Sequence, residues 1–481
     1  MPNHRGLLRF VVCRDALPWT VGVVFAMILT GVPLAARPTD AGASEEKRLE
    51  EKLAELERRL EELEKTAREE DKTSSEDPLT VQVEELRRQL DVLAEEVDRL
   101  RSGDRDESLT EEQRRAFGLG ASAARIYERR RGVSFAGYGE MLYENFAETR
   151  EDGVDSGKTD QIDFLRAILY TGYRFSDRLL FNSEIEFEHA STGEAGEVSV
   201  EFAYLEYLLN ENFGIRGGLL LVPMGWVNEY HEPNAFFGSL RPFTERVILP
   251  TTWRDAGFGL AGRHGPFEVR AYVVNGLKAT GFGGDGIRGG RQQGSKAKAE
   301  DFAFVGRLDF SPEPGLVLGG SLYHGGADQG ELRWQERPVD VSATIFDIHG
   351  QWRWNGWDVR GLFAQAALDN AAEINLARGL DGAAAVAERM RGGYFHVGFN
   401  LLRDFSEDLQ LSPYYRLELV NTQAKMPAGF VAAPRNDWEF HTFGLEFRPL
   451  SQVVIKGDYQ WTRNEAKTGV NQFNIGLGYA F

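Results

Sequence analysis

Two hydrophobic periods divide the chain. Between residues 45 and 101 apolar residues recur at alternating steps of four and three. They are Leu49, Leu53, Leu56, Leu60, Leu63 and Ala67, then Val83, Leu86, Leu90, Leu93, Val97 and Leu100. Glu, Lys and Arg fill most other positions. Such a seam predicts α-helix, and so narrow a stripe buries little until a second helix covers it. Between the two runs lies DKTSSEDP (71–78), ending in Pro78, which lacks the N–H that a continuing helix needs. The expected domain is a coiled coil in two segments, 44–103, that self-associates; a helical hairpin folding back on itself is the alternative. Residues 104–131 read as a polar linker.

From Gly132 the period changes to two. In DRLLFNSEIEFEHA (177–190), Leu179, Phe181, Ile185 and Phe187 share one face, and Asn182, Glu184, Glu186 and Glu188 the other. QVVIKGDYQW (452–461) and NQFNIGLGYAF (471–481) alternate in the same way. A soluble sandwich also alternates, so the connections decide. The pattern supplies roughly 16 strands, many longer than the ~5–6 residues usual in soluble sheets. Short turns such as 175–178, 210–213, 263–266 and 354–356 alternate with long connections at 148–158, 190–197, 223–252, 277–300, 325–339, 368–389, 422–436 and 464–470. Short turns at one rim and long loops at the other predict an all-β transmembrane barrel over 132–481, closed because lipid cannot satisfy an open sheet edge. Both termini fall on the short-turn side, which places the coiled coil in the periplasm of a Gram-negative-type cell. Trp226, Trp253, Trp354, Trp357, Trp438 and Trp461 are candidates for interfacial girdles.

Charge and composition narrow the picture. The 481 residues carry a formal net charge of −19, which argues against a nucleic-acid partner. Cys13 is the only cysteine, so disulfide frameworks and cysteine metal sites are excluded. It lies in an expected signal peptide, 1–43, where Arg5, Arg9 and Arg14 precede an apolar run and Ala41-Gly42-Ala43 offers a cleavage site, with Ala36 as a rival.

VSFAGYGEMLYENF, GGLLLVPMGWVNEYHEPNAFFGSLRPFTERVILPTTWRDAGFGLAG and the terminal NQFNIGLGYAF resemble the phosphate-selective porin O/P family, in a variant with an N-terminal coiled coil. The resemblance covers roughly residues 132–481 and implies a homotrimer of 16-stranded barrels that passes small solutes, often anions. It also implies that the third long loop folds inward and narrows the barrel. Strand counting makes that loop 223–252. The final Phe481, with Tyr479 and Leu477, resembles the signal by which barrel-assembly machinery recognises its clients.

The expected function is therefore an outer-membrane porin for passive diffusion of small polar or charged solutes. The constriction residues expected in the third loop are Glu229, His231, Glu232, Arg241, Glu245 and Arg246, each a brace or a contact for solute. Strand parity places Arg166, Glu184, Glu186, Glu188, Arg216, Arg263, Arg270, Arg307, Arg360 and Arg416 on the pore wall. A dedicated phosphate pore needs a concentrated basic row. Here acidic residues outnumber basic ones across the strands, and the row Glu184, Glu186, Glu188 favours cations unless arginines face it. Facing rows of opposite sign point to a mixed pore, with anion preference left open. The basic stretch 288–298 would gather anions at the mouth, bind lipopolysaccharide, or move freely. Glu229, His231 and Glu232 match no strong metal motif, and no cofactor is expected. His189 and Ser191 are too close in sequence to align as a hydrolytic pair, so no enzyme is expected either. The alternative function is an envelope tether in which the coiled coil grips peptidoglycan, with the pore secondary.

Overall fold

The computed structural model describes residues 118–481 except 130, 191–195 and 407–408, together with helical positions between 51 and 65 and between 83 and 88. The expected signal peptide, most of the heptad region and residues 104–117 of the expected linker lie outside the described residues. Among the described heptad positions, Leu56, Leu60 and Leu63 are helical and half-buried.

Sixteen antiparallel strands form a closed barrel, each paired with its neighbours along the chain. The first, Gly132–Phe146, closes on the last, Gln472–Ala480, with Tyr138 opposite Ala480 and Glu144 opposite Asn474. The strand Phe302–Glu313 shows why this sequence takes this form. Phe302, Phe304 and Leu308 point outward and are exposed, whereas Ala303, Val305, Arg307 and Asp309 point inward and are buried. Apolar side chains outside and charges inside invert the arrangement of a water-soluble sheet. Such a surface is stable only where its surroundings are apolar, and there every backbone group must be paired within the protein.

Short and long connections alternate as the spacing predicts. The long ones include 222–253, 276–301, 327–341 and 369–388. They carry structure that alternation does not signal, including a one-turn helix at Thr244–Val247, a hairpin pairing Arg333–Trp334 with Arg337–Pro338, and a helix at Ala371–Arg378. The tryptophans divide. Trp354, Trp357 and Trp461 are exposed on the outer surface. Trp226 and Trp253 are buried inside, because they belong to the long connection 222–253, where strand parity does not apply. Trp438 also turns inward, stacking on Phe440 and meeting Phe243 edge-on.

Candidate functional site

The connection 222–253 lies within the barrel. A chain segment there has no strand neighbours, yet its backbone groups must still be bonded. Its base is clamped by Asn228, whose side-chain nitrogen donates to the carbonyls of Val222 (2.7 Å) and Trp253 (2.8 Å) while its oxygen accepts the Trp253 N–H at 2.7 Å. Glu245 joins the two limbs. Its carboxylate accepts the N–H groups of Trp226 and Val227 and the Tyr394 hydroxyl, each at 2.7 Å. Tyr394→Phe removes one hydrogen bond to a buried charge and is expected to lower stability by about 1.5–3 kcal/mol, read from the shift in a urea unfolding midpoint of the folded barrel.

The wall charges do much of the remaining bracing. Arg360 donates to the Ala235 carbonyl at 2.8 Å, and Lys456 donates to the carbonyls of Phe236 (2.7 Å) and Gly238 (3.1 Å). Arg416 reaches those of Phe237 (3.3 Å) and Leu240 (3.2 Å). Asp458 accepts the Ser239 N–H and Glu418 the Thr244 N–H, both at 2.7 Å. Near residue 225 the loop meets an ion cluster. Glu229 faces Arg270 (3.1 Å) and Arg307 (3.4 Å), and Asp309 binds Arg270 (2.6 Å), Arg307 (2.8 Å) and His349 (2.8 Å). His349 leans on Asp347 at 2.6 Å, and Arg307 also donates to the Gly225 carbonyl and lies over the Trp226 ring.

His231 meets the Asn228 carbonyl through Nδ1 (3.0 Å) and Glu184 through Nε2 (2.9 Å). Both partners are acceptors, so both ring nitrogens donate and the ring is an imidazolium. Burial opposes that charge, but Glu184 outweighs it and holds the pKa above the ordinary histidine value.

The expected constriction residues therefore separate. Glu229, His231, Glu232 and Glu245 are buried in anchoring contacts and do not border an open passage. Arg241 is half-buried, with one bond at 3.3 Å to the His231 carbonyl, and Arg246 is exposed. The wall set behaves similarly. Glu184, Glu186, Arg166, Arg216, Arg270, Arg307, Arg360 and Arg416 are buried, Glu188 is half-buried, and Arg263 sits near the short-turn rim opposite Glu268. The acidic row does meet arginine, since Arg166 lies 3.3 Å from Glu186 and 3.2 Å from Glu140.

Two arginines stay partly open on the long-loop side beside the connection 222–253. Arg288 and Arg291, from the connection 276–301, donate to the Thr251 carbonyl at 2.6 Å each and are half-buried, so this part of the basic stretch is held in place. Burial and the neighbouring Arg291, Arg246 and Arg241 push Arg288 down to about 9. Burial brings Arg291 down to about 10, with Glu201 pulling the other way. Arg246 is open to solvent yet enclosed among wall atoms that lower its pKa, against the pull of Glu418 and Glu144. The His189 side chain pairs with Asp163 at 2.6 Å, and Ser191 lies outside the described residues.

Sequence reasoning did not find Asn228, Tyr394 or the segment 118–128, which enters the lumen. The last had a signal, because FGLGASAARIY (117–127) is a run of small and apolar residues in an otherwise charged stretch.

No family model matches the chain. It is similar in fold to an OmpF of Salmonella typhi, at 11% identity and TM-score 0.48 over 73% of this chain and 98% of that one. The outer-membrane channel DcaP of Acinetobacter baumannii is similar at 11% identity and TM-score 0.45, over 73% and 97%. An anion-selective porin from Comamonas acidovorans is similar at 10% identity and TM-score 0.47, over 73% and 99%. In sequence the chain is 37% identical over 355 residues to an uncharacterized protein of Aquifex aeolicus, covering 71% of this chain and 78% of that one. The chain belongs to the same family as that Aquifex aeolicus protein.

Proposed function

We propose that the protein is an outer-membrane channel of the porin type, in which the connection 222–253 forms a diaphragm and small solutes pass beside it. The observation that carries this is the division of charge inside an apolar-skinned barrel. Many interior acids and bases pair with one another, others hydrogen-bond the diaphragm backbone, and the charged diaphragm groups left facing solvent are Arg241 and Arg246. A charge that solvent reaches acts most directly on a passing ion, so these two arginines weigh most at the diaphragm face. Their charge favours anions. Arg288 and Arg291 on the long-loop side add to the same field.

The test is a planar-bilayer recording of the purified full chain in a salt gradient. A reversal potential displaced toward the chloride equilibrium value is expected. Displacement toward the cation value removes the anion preference, and absence of any current overturns the channel.

A further inference from the structure

We propose that residues 118–128 are a plug that the chain carries into its own lumen, and that solute crosses severalfold faster when this plug leaves its seat; the proposal rests on the channel function above. The stretch belongs to the expected polar linker, yet Leu119, Ala123, Ala124 and Ile126 are at most 3% exposed. It ends in a 3-10 helix, Ala123–Glu128, directly before the first strand.

The seat has two sides. On the diaphragm, Glu232 accepts the N–H groups of Ser122 (2.9 Å) and Ala123 (3.4 Å). On the wall, Asn182 donates to the Ala123 carbonyl at 3.0 Å and Arg174 to the Tyr127 carbonyl at 3.3 Å. The Tyr127 hydroxyl bonds Glu206 and accepts from Arg216 at 2.9 Å. Arg174 is the last residue of the strand Gln161–Arg174, so the segment sits at the short-turn end of the lumen below the diaphragm. Its fit depends on small residues. A side chain at Gly120 would overlap the Glu232 carboxylate, and one at Gly118, which also has φ +62°, would overlap that of Glu229.

Side-chain hydrogen bonds, among them one between the Tyr127 and Tyr204 hydroxyls at 3.1 Å, and buried apolar contacts hold this segment, whereas backbone pairing holds the strands. The plug can therefore leave without dismantling the barrel. It precedes the first strand, so nothing in the barrel ladder has to break when it moves.

A β-carbon built on Gly172 lies 3.1 Å from that of Ile126, so a shift of about 0.5 Å brings the pair into the ~3.5–4.5 Å range spanned by a disulfide. The full chain carrying Ile126→Cys and Gly172→Cys tests the proposal in one preparation. Oxidised, the pair locks the plug; reduced, it frees it. Conductance is expected to rise severalfold on reduction, and neither single-cysteine variant is expected to respond. Gly120→Phe, which crowds Glu232, is expected to conduct more than the parent without reductant. Equal conductance in the oxidised and reduced forms overturns the plug while leaving the channel. Failure of the pair to oxidise overturns the seat. A formed disulfide with no current from any variant overturns the channel and the plug together.

Discussion

Asp309→Ala is expected to be among the most destabilising substitutions in the barrel, lowering the unfolding free energy by about 3–5 kcal/mol. The carboxylate is buried and binds Arg270 at 2.6 Å, Arg307 at 2.8 Å and His349 at 2.8 Å. Its removal leaves two guanidinium groups enclosed with Glu229 as their remaining acidic partner in the cluster. A buried charge without its partner keeps the desolvation penalty and loses the attraction that offset it. Arg307 also holds the Gly225 carbonyl, so the damage spreads to the start of the diaphragm. The measurements are the urea midpoint of the folded barrel and its single-channel current. A lower midpoint with larger, noisier current is expected. An unchanged midpoint would show that the cluster contributes nothing to stability. Gly319→Ala is expected to act through the same carboxylate, because a β-carbon there would overlap Asp309 Oδ1 and crowd His349.

The double substitution Arg241→Glu with Arg246→Glu is expected to reverse ion preference in a barrel that still folds. Arg246 is exposed and lies over the Phe243 ring, and Arg241 has a single bond at 3.3 Å, so the change is expected to cost about 1–2 kcal/mol and to leave the barrel folded. The field changes far more, because two positive charges become two negative ones on the diaphragm face that solvent reaches. In a salt gradient the reversal potential is expected to change sign. The recording belongs at low ionic strength, because at 0.1 M salt a field decays over ~10 Å. A reversal potential that stays on the chloride side would place the selective charges elsewhere, with Arg288 and Arg291 the next to replace. Loss of folding would instead mean that Arg241 braces the diaphragm.

The two substitutions differ in what the chain alone could reveal about them. Parity places Arg307 and Asp309 inside the barrel as surely as it places Phe304 and Leu308 outside, since side chains alternate along a strand. Parity does not say what stands across the lumen. Arg241 and Glu245 are four residues apart in one loop, yet one stays partly open and the other is sealed among Trp226, Val227 and Tyr394. The same limit put Trp226 and Trp253 among the girdle candidates, although their loop folds inward.

By itself, then, the sequence determined the strands, their faces, the alternation of short and long connections and the closure of the sheet. Each of these follows from local periodicity, together with the requirement that an apolar environment leave no backbone group unpaired. Only the tertiary structure decided which interior charges brace and which face solvent, and that residues 118–128 belong inside the barrel. The deciding contacts join distant parts of the chain, Thr244 to Glu418 across 174 positions and Ser239 to Asp458 across 219. Whether a charge is cancelled depends on the partner that closure of the barrel brings within about 3 Å, and no local pattern encodes that distance.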